Sequence, residues 1–175
     1  MTQSEWTSRT FNFDFPEGMF PIIISRLKGA YPRILDLTQN VSDQILSQQL
    51  YNKWSIKQQI GHLSDLEELH SARIIDFKNN ATILSAWDGT NTKTFEADHN
   101  TKNIKILLEE FKSVRNHFIN ELLSFSDSEL IKTALHPRLQ KQMRIVDMAF
   151  FVAEHDDHHI AKMWEILNWR NNYSA

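Results

Sequence analysis

Cysteine is absent from this 175-residue chain. That excludes disulfides, thiolate-ligated metals and cysteine nucleophiles, and it permits a reducing compartment without requiring one. Glycine and proline are sparse, four of each, so few residues interrupt the backbone and long helices are expected. No apolar run approaches the about 20 residues needed to cross a bilayer. The opening residues, MTQSEWTSRTFNFDFPEG, lack the basic-then-apolar layout of a secretory leader. A cytoplasmic protein with no membrane partner is the expectation. The 19 Lys and Arg are scattered and outnumbered by 22 Asp and Glu, for a net charge of −3. No basic stripe grips a phosphate backbone, so nucleic acid is not an expected partner. GxSxG, P-loop and dinucleotide fingerprints are missing too, which leaves serine hydrolase, NTPase and Rossmann readings without support.

What is there is ordinary globular composition, 41% hydrophobic and 23% charged. The length suits one domain, residues 1–175, with a full core. Residues 1–15 read as an extended arm, because Phe11, Phe13 and Phe15 alternate with polar residues. Such an arm covers core or meets a partner subunit. Residues 16–169 read as an all-α four-helix bundle, and 170–175 as a tail. The first helix spans about 18–39, kinked or divided at Pro32. A connector containing VSDQIL follows. A second helix starts at Ser55, with Gln58 at capping-box spacing, and runs to about Asn79. Residues 83–100 form a long, turn-rich connection around Asp88-Gly89; loops of that length are functional or partly disordered. A third helix covers about 101–124, with Ile104, Leu107, Leu108, Phe111, Val114, Phe118 and Leu122 on one side. Ser126 and Glu129 suggest a further short turn, and HPRLQKQMR leads into a fourth helix at about 144–169.

The unusual stretch is FVAEHDDHHIAKM, residues 151–163, with three histidines and three acids in six consecutive positions. At about 100° per residue, Ile145, Met148, Val152, His155, His159, Met163 and Ile166 fall on one inward line. His155 and His159, one turn apart, can aim both imidazoles at one point. His158 lies toward the outer face. Two histidines leave a zinc-like ion under-coordinated, and the best third candidate is His62, on the line His62, Leu66, Leu69, Arg73 and Phe77. His99 and His136 fall in connections, His117 lies beside the apolar face of its helix, and His70 is two turns from His62. An HxxxH pair alone equally describes a surface or satisfied core pair.

KWSIKQQIGHLSDLEELHSARIIDF (53–77) and DMAFFVAEHDDHHIAKMWEI (147–166) resemble the two signature regions of the DinB/YfiT-like family, and WDGTN (87–91) and ALHPRL (134–139) resemble one branch of it. The resemblance runs from Phe15 to Ile166. It implies a four-helix bundle, often dimeric, with one divalent metal held by three histidines, here His62, His155 and His159. It also implies a small-molecule reaction, either transfer involving a low-molecular-weight thiol or hydrolysis; family membership implies the site better than the chemistry.

Three neutral histidines leave coordination positions open, the pattern of a catalytic metal. The nucleophile would be a metal-activated water or thiol, and Zn, Ni, Fe and Mn all accept imidazole. Asp65 or Asp156 could fix a ligand's tautomer, or either could be a solvated helix acid. Arg73 could hold an anionic substrate group, or pair with a buried acid. Trp87, Asp88 and Asn91 could border the pocket, although turn chemistry alone would explain Asp88-Gly89. Two further readings are a ferritin-like di-iron bundle, suggested by Glu67-x-x-His70, and a stress-associated bundle that binds metal or a partner without turnover. A second greasy face on the last helix, with Val146, Phe150, Ile160, Trp164 and Leu167, suits either a dimer interface or packing within the chain.

Overall fold

Ser55 starts the second long helical segment as its spacing predicts. The Gln58 backbone N–H donates to Ser55 Oγ (3.1 Å), and the Ser55 N–H donates to Gln58 Oε1 (3.0 Å). The computed structural model describes residues 3–50 and 53–173, with side chains described to residue 168. Its helices are α1 (Phe20–Thr38), α2 (Asp43–Ser47), α3 (Ile56–Asp65), α4 (Glu67–Lys78), α5 (Thr92–Glu96), α6 (Ile104–Leu123), α7 (Asp127–Leu130) and α8 (Ile145–Tyr173). No helix among the described residues is long and apolar enough to cross a membrane.

Four helical arms make the bundle: α1, the α3–α4 pair, α6 and α8. Around the ring α1 packs on α8 and α6, and α3 packs on the same two. Arms that follow one another in the chain, α1 and α3, therefore stand across the bundle rather than side by side. Pro32 stays inside α1 without dividing it. The segment expected as one helix from 55 to 79 is interrupted at Leu66, whose ψ of −14° is flatter than the about −42° of an α-helix. The 83–100 connection is more ordered than its turn residues suggest, for it holds α5 and a 3-10 turn at His99–Thr101. The tail expected at 170–175 continues α8 as far as Tyr173, and residues 1, 2, 174 and 175 lie outside the described residues.

One element was not anticipated. Residues 133–144, which include HPRLQKQMR, fold into an antiparallel hairpin, β1 (Thr133–His136) with β2 (Lys141–Arg144), in the register Thr133↔Arg144 to His136↔Lys141. Strands of four residues show too little alternation to be read from sequence. The hairpin is fastened to the chain after α4: Leu84 N–H donates to Leu135 O (3.0 Å), and Leu135 N–H donates to Thr82 O (2.9 Å).

The arm lies on the bundle as its alternation predicts. Phe11 is buried, Phe13 and Phe15 half-buried, and Asn12 and Asp14 exposed. Side chains of the hairpin hold its carbonyls: Lys141 Nζ donates to Phe11 O, and Arg144 Nη2 donates to Phe13 O (3.0 Å) and Phe15 O (2.9 Å).

The core divides into two apolar clusters. On α8, Val152 and Ala153 belong to the first, Ile160 and Met163 to the second. On α6, Phe118 belongs to the first and Phe111 to the second. On the α3–α4 arm, Ile74 and Phe77 belong to the first, Ile60 and Leu63 to the second. Between them, at one level on three arms, lies a buried polar layer that includes Glu67, His70, Arg115, His155, Asp156 and His159. The second greasy face of α8 is largely spent inside the chain, since Val146 and Ile160 are buried while Trp164 is 55% exposed.

If the arm is an integral part of the fold, Phe11→Ala lowers unfolding free energy by about 3 kcal/mol in urea titrations. A loss within about 0.5 kcal/mol, the range of ordinary surface changes, would show that the arm is peripheral.

Candidate functional site

His62 from α3 meets His155 and His159 from α8. Ring centroids are 5.3 Å (His62–His155), 4.7 Å (His62–His159) and 4.4 Å (His155–His159) apart. One nitrogen from each ring lies within 4.8 Å of the others, and this is the group of metal-competent side chains found among the described residues. The rotational argument thus picked three rings that do converge.

What stands behind the rings sets their tautomers. Thr94 Oγ1 donates to Asp65 Oδ2 (2.9 Å), so it can accept from His62 Nδ1 at 3.1 Å. Gln59 Oε1 accepts from His159 Nδ1. In both rings the proton is thereby held on Nδ1, leaving Nε2 with its lone pair free. His159 Nε2 faces His155 Nε2 at 3.0 Å. Two nitrogens each about 2.0–2.1 Å from one ion stand roughly 3 Å apart, so this separation fits a shared cation. His155 Nδ1 is buried without a partner. Burial pushes His62 down to about 4 and holds His155 and His159 well below their ordinary value, with the neighbouring rings adding to the shift. All three are therefore neutral at pH 7, the form that ligates metal.

Asp65 and Asp156 do not touch the ligand candidates directly. Asp65 reaches His62 only through Thr94, and it also holds His99 Nε2 at 2.9 Å. Gly61 makes room for that contact, for a Cβ there would lie 2.3 Å from the His99 ring. Asp156 turns away from the histidines to take Arg115 bidentately, from Nη1 and Nη2. Arg115 Nε also lies 2.7 Å from Glu67 Oε1, and Glu67 Oε2 lies 3.3 Å from His70 Nδ1. The Glu67-x-x-His70 pair that suggested a di-iron site thus has a guanidinium where a second cation would sit. One arginine faces two buried acids, and burial pushes Asp156 up to about 7, with Arg115 opposing.

The other acids of the 151–163 stretch go outward. Glu154 pairs with Arg9 and Arg26, and Asp157 with Arg26 and Arg33. His158, expected on the outer face, is buried beneath the arm: Gln3 Nε2 is 3.0 Å from its Nδ1, and the Trp6 ring is 5.7 Å away.

The three histidines open into a cavity of about 1220 Å³, large for a small-molecule site. Trp6 and Trp54 wall the metal end, with centroids 4.8 Å from His155 and 4.6 Å from His62 respectively. Trp87 and Asn91 line the cavity and are bonded to each other, Trp87 Nε1 donating to Asn91 Oδ1 (2.9 Å). Asp88 is exposed and off that wall. Its carboxylate accepts the backbone amides of Thr90, Asn91 and Thr92, so it builds the turn instead of meeting substrate. Arg73 lines the cavity and has no carboxylate partner among the described residues, although its Nε donates to Ser85 O (3.0 Å).

Sequence reasoning missed Gln59, Thr94, Trp6, His99, His136 and Arg115 as parts of this site or its supports. Gln59 lies three residues before His62, and Arg115 lies four residues after Phe111 and three before Phe118 on the apolar side of its helix, so both had a positional signal. Thr94, Trp6, His99 and His136 come from irregular or short segments and had none.

A family model described as the DinB superfamily matches residues 26–163. A solved structure from Bacillus subtilis, YfiT, described as a probable metal-dependent hydrolase with an unusual four-helix bundle topology, is similar at 18% identity. Its TM-score is 0.74, with 93% of this chain and 94% of that one covered. A mycothiol-dependent maleylpyruvate isomerase is similar at 10% identity and a TM-score of 0.68, over 89% of this chain and 63% of the other. No curated protein matches by sequence.

Arg115→Met strands Glu67 and Asp156 without a counter-charge, so urea titration should show about 3–5 kcal/mol lost. A near-neutral result would mean both acids are neutral in the folded chain. A second outcome concerns acid. Burial, first among the causes, depresses His62 to about 4, His136 to about 3 and His158 to about 4. Below pH 6.5 the unfolded chain takes up these protons first, so stability present above 6.5 is lost as pH falls toward 4. Asp156, raised to about 7, acts in the opposite sense but is outnumbered by the depressed histidines, so metal-free protein with equal urea midpoints at pH 7 and pH 5 would contradict this.

Proposed function

Because the chain belongs to the DinB superfamily, we propose that it is an enzyme that holds one divalent metal ion through His62, His155 and His159 and acts on a small molecule. The reaction is group transfer involving a low-molecular-weight thiol, or hydrolysis. The observation that carries this reading is the convergence of neutral imidazoles whose Nδ1 atoms are engaged from behind at His62 and His159, which leaves ligating Nε2 atoms facing one point. When bound, a divalent ion with open positions supplies Lewis-acid chemistry and lowers the pKa of a water or thiol it coordinates.

The chain's own residues supply the rest. Thr94 and Gln59 fix ring orientation, and Asp65 anchors Thr94. Trp6 and Trp54 keep bulk water from the metal end, and Trp87 and Asn91 border the space for substrate. The opening of the three rings into a large cavity favours turnover over a sealed structural site. A thiol co-substrate is supported by the mycothiol dependence of one similar structure. The reading includes a cytoplasmic homodimer, for which Trp164 is an exposed aromatic on α8.

Protein purified without a histidine tag should carry about one divalent ion per chain in elemental analysis. His62→Ala and His159→Ala should lose it while keeping helical circular dichroism. Gln59→Leu should weaken binding by about 10–100-fold, as loss of a ligand's backing partner does. Metal-free protein that also ignores added Zn²⁺ and Ni²⁺ would end the proposal.

A further inference from the structure

At another part of the same cavity wall stand three side chains with hydrogen-bond donors that meet no acceptor among the described residues. Arg73, from α4, is buried, and among the described residues only its Nε has a partner, Ser85 O. Arg138, from the turn of the hairpin, reaches Thr7 O through Nη1 at 3.4 Å, while its Nη2 is buried and unpartnered. His136, at the end of β1, accepts the Leu139 backbone N–H at Nδ1 (3.2 Å). A neutral ring that accepts at Nδ1 carries its proton on Nε2, and that Nε2 is buried without a partner. All three residues line the cavity.

Each side chain is tethered on one side and unsatisfied on the other. Asp76, one turn from Arg73 on α4, is used locally, since its Oδ2 accepts the Ser85 N–H (2.6 Å). Glu5 and Glu165, the acids on the cavity wall, form no ion pair with either arginine among the described residues. A buried arginine such as Arg73 with no acid opposite is costly, and the orphaned buried donors of Arg138 and His136 add to that cost.

We infer that Arg73, Arg138 and His136 form an anion subsite that binds a carboxylate or phosphate group of the substrate. This rests on the reading of the cavity as a substrate site and adds the substrate's class: a small molecule with an oxyanion at one end and its reacting group toward His62, His155 and His159. Two guanidiniums supply charge and forked donors, and the imidazole N–H supplies a third. Arg73 follows His62 by eleven residues across the break at Leu66, and both line the same cavity. The crowding of positive charge acts on both groups: burial, then Arg138, lowers Arg73 to about 10 with Asp76 opposing, and burial, then the two arginines, lowers His136 to about 3.

The test is calorimetric titration of the full chain with sodium acetate and with inorganic phosphate, at ionic strength held constant with NaCl. It is run on protein as purified and after chelator treatment, so that binding to a metal is separated from binding to this subsite. Saturable binding of at least one anion is expected in both preparations, weakened at least tenfold by Arg73→Gln and by Arg138→Gln with metal content unchanged. Arg138 is only half-buried, so its variant remains informative should Arg73→Gln fail to fold. Binding of acetate, with or without phosphate, assigns a carboxylate; binding of phosphate alone assigns a phosphate ester. Titrations that do not saturate, or that Arg138→Gln leaves unchanged, overturn the subsite while leaving the metal reading intact. Anion binding by protein that takes up no metal does the reverse.

Discussion

Arg115 is the group on which the rest of the polar layer depends. A helix bearing EHDDHH cannot run through a core unless each polar side chain finds its own partner. Arg115 takes Asp156 and Glu67 together, leaving the faces of α8 on either side free for other work. Outward, Glu154 and Asp157 tie α8 to α1 and to the arm through three arginines. Inward, His155 and His159 point into the cavity. The six-residue stretch is thus three directions of contact from one helix: two for stability and one left for chemistry.

The backing of the histidines is a second layer of the same logic. Neutral imidazole is ambiguous until one nitrogen is committed, and Thr94 and Gln59 commit two rings in the same sense. Thr94 is itself fixed by Asp65, and Asp65 by His99, which fits only because residue 61 is glycine. A chain of contacts therefore runs from a side chain missing on α3 to the lone pair of His62, through two segments of the long connection after α4.

Periodicity made the long helices and the inward line of α8 legible, because buried helices must repeat their apolar residues at three- and four-residue steps. His62 was recoverable for the same reason. The support network was not. Thr94 and His99 come from a connection whose short helices carry no repeat, and His136 comes from a strand of four residues. The acids are less legible. Asp65, three residues after His62, and Asp156, next to His155, are each close in sequence to a ligand candidate, but each found its direct partner on another element. Asp88 likewise serves its own turn. The arm's alternating phenylalanines were readable, while the burial of His158 beneath that arm depends on a tertiary contact no local pattern records.

The polar layer between the two apolar clusters also acts as a key for alignment. Were α8 to slide by one turn against α6, Arg115 would face Val152 or Ile160 in place of Asp156. Such a slip costs little in a bundle whose contacts are all interchangeable aliphatics, but a charge stranded in hydrocarbon forbids it. Coaxial sliding is thereby reduced to one permitted alignment, and in that alignment residue 62 stands level with residues 155 and 159.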